Sequence, residues 1–204
     1  MIDKDRSKSL TIISLGAGVQ SSVMAIMAAK GDFPKVDCAI FADTGYEPKA
    51  VYTYLEFLKK ILPYPIYIVA KGNIKDDMIS SIDNGTRFPT APFFTKNAET
   101  NKKGMLRRQC TNDYKIQPIR QKIRQLSNVA KGKHFPKDKY VEQWIGISTD
   151  EAQRMKPARD KYILNRHPLI EAKMSRQDCI NYLKKHDIPL PEKSACIVCP
   201  YHND

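Results

Sequence analysis

The sequence has 204 residues, a formal net charge of +12 and five cysteines. That length suffices for one domain, 1–204, with a substantial core, and no apolar run approaches the roughly 18–20 residues of a membrane helix. The amino terminus, MIDKDRSKSL, is polar and lacks an apolar signal core, so a cytoplasmic location is expected, and the odd number of cysteines fits reduced thiols or metal ligands better than a disulfide framework.

In chain order, residues 10–16 (LTIISLG) read as a buried strand and residues 19–30 as a helix ended by Gly31. Cys38–Asp43 (CAIFAD) is a second strand. Pro48 suits the first turn of the next helix, whose buried face is marked by Val51, Tyr54, Leu55, Leu58 and Leu62. Residues 65–70 (PIYIVA) form a third strand. The β-α-β-α-β order predicts parallel strands with right-handed crossovers, hence an α/β, three-layer protein with a mostly parallel central sheet and flanking helices. A short helix is predicted over 74–82, a long loop over 84–104, and a basic helix around 112–126. Residues 130–139 (AKGKHFPKDK) read as a connector, 140–147 as a fourth strand, and a further strand lies within 162–170. Ser175 and Asp178 have the spacing of a capping box that opens a last helix. A proline-punctuated, cysteine-bearing loop, 190–204, ends the chain.

The stretch SLGAGVQSS, residues 14–22, joins the first strand to the first helix. Gly16 and Gly18 let the backbone turn tightly and approach a ligand, while Ser21 and Ser22 add hydroxyls to the N–H groups of a helix start. Gln20 can hydrogen-bond there without adding negative charge. The pattern is neither a Walker A loop nor a Rossmann fingerprint. It predicts a phosphate cradle, the alternative being only a tight strand–helix turn. Asp43-Thr44-Gly45-Tyr46 follows the second strand and should face the same crevice, since ligands of open parallel sheets bind outside the carboxyl ends of the strands. Asp43 could hold a ribose hydroxyl, an amino group or magnesium, or simply cap the next helix.

Between Lys102 and Lys139 twelve lysines and arginines face two acids, Asp113 and Asp138. This basic segment, 102–139, is either a surface for RNA or DNA or a solvated helix and loop. Cys196 and Cys199 form a CxxC, and Cys110 lies 86 residues upstream. Three thiolates could hold a four-iron four-sulfur cluster with one iron open. With His202 they could close a zinc site, or they are free thiols. Cys38, Cys179 and Trp144 read as core, and His167 as an isolated histidine.

SLGAGVQSS followed by FADTGYEP resembles the nucleotide-binding core of the phosphoadenosine phosphosulfate reductases, members of the adenine nucleotide α-hydrolase group with the N-type ATP pyrophosphatases. RRQCTNDYKIQPI, WIGISTDEAQRMKPA and the segment from His167 to Pro200 resemble later motifs of that family, so the likeness spans roughly residues 10–200. The resemblance implies an enzyme that binds ATP or phosphoadenosine phosphosulfate through Ser14, Gly16, Gly18, Ser21, Ser22, Asp43, Thr44 and Gly45. It implies chemistry at the phosphate or sulfate end, in sulfur transfer or reduction, with Gln20, Asp43, Arg154 and Arg159 as catalytic or anion-contacting groups. Magnesium and a thiol or sulfur-donor protein are expected partners, and no membrane is. Cys110, Cys196 and Cys199 resemble the cluster ligands of iron–sulfur adenosine phosphosulfate reductases, with one ligand of that layout replaced by Gln109. ATP pyrophosphatases carry Asp where Gln20 stands, and reductases carry a catalytic cysteine in a Glu-Cys-Gly-Leu-His-like tail, whereas this sequence ends CPYHND. Adenylation and thiolation of a nucleic acid is the alternative activity, and a non-catalytic nucleotide-binding or nucleic-acid-binding module the alternative class.

Overall fold

The structure, a computed structural model, describes residues 6–85, 88–89 and 91–200. His202 therefore lies outside the described residues, as do Thr86, Arg87 and Thr90 of the segment expected to be a long loop.

Five parallel strands form the central sheet: β1 (Ser7–Leu15), β2 (Cys38–Asp43), β3 (Ile66–Ala70), β6 (Lys139–Ile145) and β7 (Ile163–Arg166), in the order β3-β2-β1-β6-β7. β2 and the second half of β1 read as near-continuous apolar runs because both of their faces are covered. Alternate residues then sort to opposite sides. Ile13, Leu15, Ala39, Phe41 and Trp144 pack in one core with α1 (Val19–Lys30), α2 (Lys49–Ile61) and α6 (Arg176–Lys185). Ile12, Ile40, Ala42 and Val141 pack in the other with Ile119 and Ile123 of α4 (Gln117–Leu126). α2 buries Val51, Tyr54, Leu55 and Leu58, the face its spacing predicts. Cys38 and Cys179 sit in these cores, where burial pushes both thiols up to about 12. The capping box of α6 forms as read: Ser175 Oγ accepts from the Asp178 N–H at 3.1 Å, and the Asp178 carboxylate accepts from the Ser175 N–H at 2.9 Å.

One expectation needs correction, and a second gains a geometry. Residues 84–104 are not all loop. α3 (Ile74–Asn84) ends there, and an antiparallel hairpin of β4 (Phe94–Lys96) and β5 (Lys103–Met105) follows. Its strands are three residues long, too short to display an alternation, and its turn is held by the Asn97 side chain accepting from the N–H groups of Glu99 and Thr100 at 3.0 and 2.8 Å. The basic segment 102–139 is also not one surface. One π-helical turn (Thr111–Ile116) and α4 carry the chain from the carboxyl edge of the sheet back to its amino edge. β6 begins at that edge, with Lys139 opposite Ser7. The segment's two halves therefore sit at opposite edges. Within it Arg120 pairs with Asp160, Lys122 lies over the Tyr67 ring, and Arg124 donates to the carbonyls of Ala130 and Lys133.

Candidate active site

Neighbours of β1 diverge in chain direction, β2 following it and β6 lying on its other side, so the β1/β6 boundary is the switch point where an open sheet leaves a crevice. The 16–18 turn sits at this point. Ala17 holds φ +54, a left-handed conformation that costs an L-residue roughly 1–2 kcal/mol. The strain turns the chain sharply into α1, whose first N–H groups have no partner within the helix. The Gly16 N–H donates to Ser21 Oγ at 3.2 Å, and Ser21 Oγ donates to the Gly18 carbonyl at 3.2 Å, so the loop braces itself. Gly146, just past β6, lies directly against it. A Cβ there would stand 2.7 Å from Ser21 N and 2.8 Å from Ser21 Cα.

Beside this loop is a cavity of about 320 Å³. Ser14, Gly16, Gly18, Gln20 and Ser21 line one side, and Phe41, Ala42 and Ile145 provide strand-end walls. Four cations border it, Lys115, Arg154, Arg176 and Lys193, against two acids, Glu151 and Glu192. The balance favours an anion. Gln20 is buried and ties the rim together: its Nε2 donates to Ser148 Oγ at 3.4 Å and to Glu151 Oε2 at 3.3 Å, and its Oε1 accepts from Arg176 at 3.1 Å. An aspartate here could not donate to Glu151. Arg154 pairs with Glu151 at 2.5 Å on the exposed side.

The other sequence candidates are placed differently. Ser22 is fully buried beneath the loop. Asp43 ends β2, and its Oδ1 accepts from the Gly45 N–H and the Tyr52 hydroxyl, both at 2.8 Å. Burial and the Asp43 hydrogen bond push the Tyr52 hydroxyl up to about 12. Gly45 holds φ +70 against the Asn73 backbone, where a Cβ would come within 2.8 Å of Asn73 Cα. Thr44 is buried and donates to Glu47 Oε1 at 3.2 Å. Asp43 and Gly45 thus shape the 43–47 turn and do not line the anion cavity; Arg159 is exposed and does not line it either.

Cys110, Cys196 and Cys199 line one second cavity of about 90 Å³, together with Thr44. Cys110 stands just before the π-helical turn. The other two close a turn in which the Cys199 N–H donates to the Cys196 carbonyl at 2.9 Å, and the Ile197 N–H anchors that turn to the Tyr46 carbonyl at 2.9 Å. Burial, then the Glu47 carboxylate, push the Cys196 thiol up to about 11, with Lys115 opposing. Three thiols converging from two distant segments form a donor set of the type that holds an iron–sulfur cluster. Among the described residues, no three His, Cys, Asp or Glu side chains are grouped closely enough to hold a single metal ion.

Lys115 and Ser194 line both cavities. Lys115 pairs at 3.2 Å with Glu47, whose side chain is 2% exposed and whose Oε2 is buried without a partner among the described residues. Ser194 hangs over the glycine turn, its Oγ 2.5 Å from where a Cβ on Gly18 would be. Sequence reasoning missed Lys115, Glu47, Arg176, Ser194 and Gly146. Only Gly146 had a local signal, a glycine closing an apolar strand.

A phosphoadenosine phosphosulfate reductase domain family profile matches residues 11–192. The chain belongs to this family. The α/β fold agrees: the crystal structure of phosphoadenylyl-sulfate reductase from Candida auris, in its phosphate complex, is similar with a TM-score of 0.58 and 12% identity over 92% of this chain and 81% of that one. At that identity the likeness is one of fold. A weaker likeness, with a TM-score of 0.46 and 17% identity, links all of this chain to 63% of the U34-tRNA thiolase NcsA from Methanococcus maripaludis with its [4Fe-4S] cluster. No curated protein matches the chain. Residues 14–22 stand at the carboxyl edge of the sheet, and no helix among the described residues is long and apolar enough to cross a membrane.

Proposed function

We propose that this family member is an enzyme that binds an adenine nucleotide, ATP or phosphoadenosine phosphosulfate, along the carboxyl edge of the sheet and acts at its phosphate or sulfate end. The reaction is sulfur transfer or reduction. One observation carries the reading: the cationic cavity at the glycine turn and the three-cysteine cavity share the walls Lys115 and Ser194. A nucleotide whose phosphates rest on α1 would bring its reacting end to the thiols. The α1 N–H groups, Arg154, Arg176, Lys115 and Lys193 would stabilise charge developing on phosphorus or sulfur. Gln20 would hold Arg176 and Glu151 in register rather than bind the anion itself. Asp43 would fix the 43–47 turn through the Gly45 N–H and the Tyr52 hydroxyl.

Cys110, Cys196 and Cys199 would hold an iron–sulfur cluster by three thiolates. When bound, such a cluster supplies an open iron position for a sulfur ligand. In the transfer version an acceptor oxygen attacks the α-phosphorus of ATP, pyrophosphate leaves, and a sulfur nucleophile then displaces AMP. In the reductive version two thiols supply two electrons, the sulfate–phosphate linkage breaks, and sulfite, adenosine bisphosphate and a disulfide result.

The test is product analysis on anaerobically purified protein whose iron and zinc have been measured. One reaction contains ATP, magnesium and nucleic acid; the other contains phosphoadenosine phosphosulfate and a thiol reductant. AMP with pyrophosphate, or sulfite with adenosine bisphosphate, supports the reading and selects the version. Absence of both products together with no nucleotide binding overturns it.

A further inference from the structure

We infer that the β4–β5 hairpin is an arm that holds a single-stranded nucleic acid beside the three-cysteine cavity, which makes a nucleic acid the acceptor of the chemistry proposed above. The inference rests on that reading for its consequence but on separate observations for its binding surface.

Every residue from 94 to 108 is exposed. Within that stretch Lys96, Lys102, Lys103, Arg107 and Arg108 face one acid, Glu99. Its apolar side chains are exposed too: Phe94 is 71% exposed, and its cross-strand partner Met105 is also on the surface. Lysines flanking an exposed aromatic ring are the pattern that binds unpaired nucleotides, phosphates to the cations and a base to the ring. A duplex keeps its bases stacked inside and offers the ring nothing. The hairpin is also rooted at the right place. Ala91 and Pro92 precede it, Arg108 and Cys110 follow it, and all four line the cysteine cavity. The Leu106 N–H continues the pairing toward the root by donating to the Phe93 carbonyl at 2.9 Å.

The remaining cations of the basic segment do not share this role. Lys115, Arg120, Lys122 and Arg124 have partners within the fold, and Lys131, Lys133, Lys137 and Lys139 lie toward the amino edge of the sheet, away from both cavities. Net charge alone would implicate both edges; the structure assigns the work to one.

The experiment measures fluorescence anisotropy of labelled oligouridylate, oligodeoxythymidylate and a duplex of equal length against the full chain, across a salt series. Single strands should bind more tightly than the duplex, and the RNA–DNA difference reports whether the 2′-hydroxyl is read. The double variant Lys102→Glu/Lys103→Glu should lower the slope of log affinity against log salt by roughly 1.4, at about 0.7 per lost phosphate contact on a single strand. Phe94→Ala should weaken binding about 5-fold or more with the slope unchanged. Lys131→Glu/Lys133→Glu, at the far edge, should bind as the parent does at about 0.15 M salt, where charges beyond about 8 Å are screened. Equal loss from the far-edge variant, equal binding of duplex, or no binding of any strand overturns the inference. So does a hairpin that proves, by sedimentation, to join two copies of the chain and to be lost as a dimer contact in Phe94→Ala. Binding of ATP or phosphoadenosine phosphosulfate, followed by thermal shift, should be unchanged in the hairpin variants, so failure of the arm leaves the nucleotide reading standing.

Discussion

Gly146→Ala should damage nucleotide binding from outside the glycine turn. The new Cβ would stand 2.7 Å from Ser21 N, 2.8 Å from Ser21 Cα and 3.1 Å from the Gln20 carbonyl carbon, all backbone atoms of the first turn of α1. Backbone cannot rotate away as a side chain can. An ordinary contact begins near 3.4 Å, so α1 and the end of β6 must part by about 0.7 Å. Overpacking of this kind costs roughly 1–3 kcal/mol of stability. A shift of that size moves the Ser21 N–H out of hydrogen-bonding range of an anion seated on the turn, and a lost charge-assisted bond is worth about 1.5–3 kcal/mol. The nucleotide dissociation constant should therefore rise roughly ten- to a hundred-fold. Calorimetric titration of ATP and of phosphoadenosine phosphosulfate measures it, with urea unfolding in parallel. Ile123→Val serves as control, because it loses a methylene group from the opposite core, at about 0.5–1.5 kcal/mol, far from the turn. If Gly146→Ala is destabilised yet binds nucleotide with the parent's affinity, the turn is not the phosphate cradle. The site assignment then fails with it.

Two further outcomes test the electrostatics. Lys115→Met should cost about 2–3 kcal/mol in urea unfolding, somewhat less than a fully buried pair because the lysine is 39% exposed, and Glu47→Gln in the same chain should restore most of it; failure of the second change to restore stability would mean that Glu47 is not the stranded charge. His167 titrates below its usual value because burial disfavours its charged form, and its Nε2 is buried without a partner among the described residues. A depressed folded-state value means that the unfolded chain takes up the proton first. Stability should then be full above the ordinary histidine value, about 6.5, and decline as pH falls below it. His167→Gln should flatten the urea midpoint between neutral pH and the onset of carboxylate titration; an unchanged slope would refute the assignment.

Much of the fold was legible because its signals are local. Inner strands of a parallel sheet must be apolar on both faces, and LTIISL and CAIFAD say so within a few residues. α2 shows its buried stripe, and Ser175 with Asp178 announces a helix start that forms as written. The hairpin was missed because three-residue strands carry no periodicity, and the basic segment stayed open between a nucleic-acid surface and a solvated helix because a charge count has no geometry. Gln20 had looked like a lost carboxylate; the structure gives the amide two acceptors to donate to and an arginine to accept from, a set of bonds that a carboxylate at the same position could not complete.

The site was half legible for a related reason. The glycine turn is a local motif, so residues 14–21 could be found by inspection. What would turn the proposed anion cradle into a reaction centre comes from far along the chain: Lys115 from the π-helical turn, Arg176 from the start of α6, Ser194 from the terminal loop. None is remarkable where it stands in the sequence. Each becomes informative only because the crossover connections deliver segments from all along the chain to one edge of the sheet, as parallel topology requires. The cysteines show the same logic in reverse. Cys110 and Cys196 are 86 residues apart, and their joint meaning depends on the Tyr46 carbonyl that anchors Ile197 and so holds the terminal turn against the π-helical start. The three cysteines were grouped from the sequence, but the backbone contact that lets their thiols share a cavity could be made by nearly any residue type, so no side-chain pattern along the chain announces it.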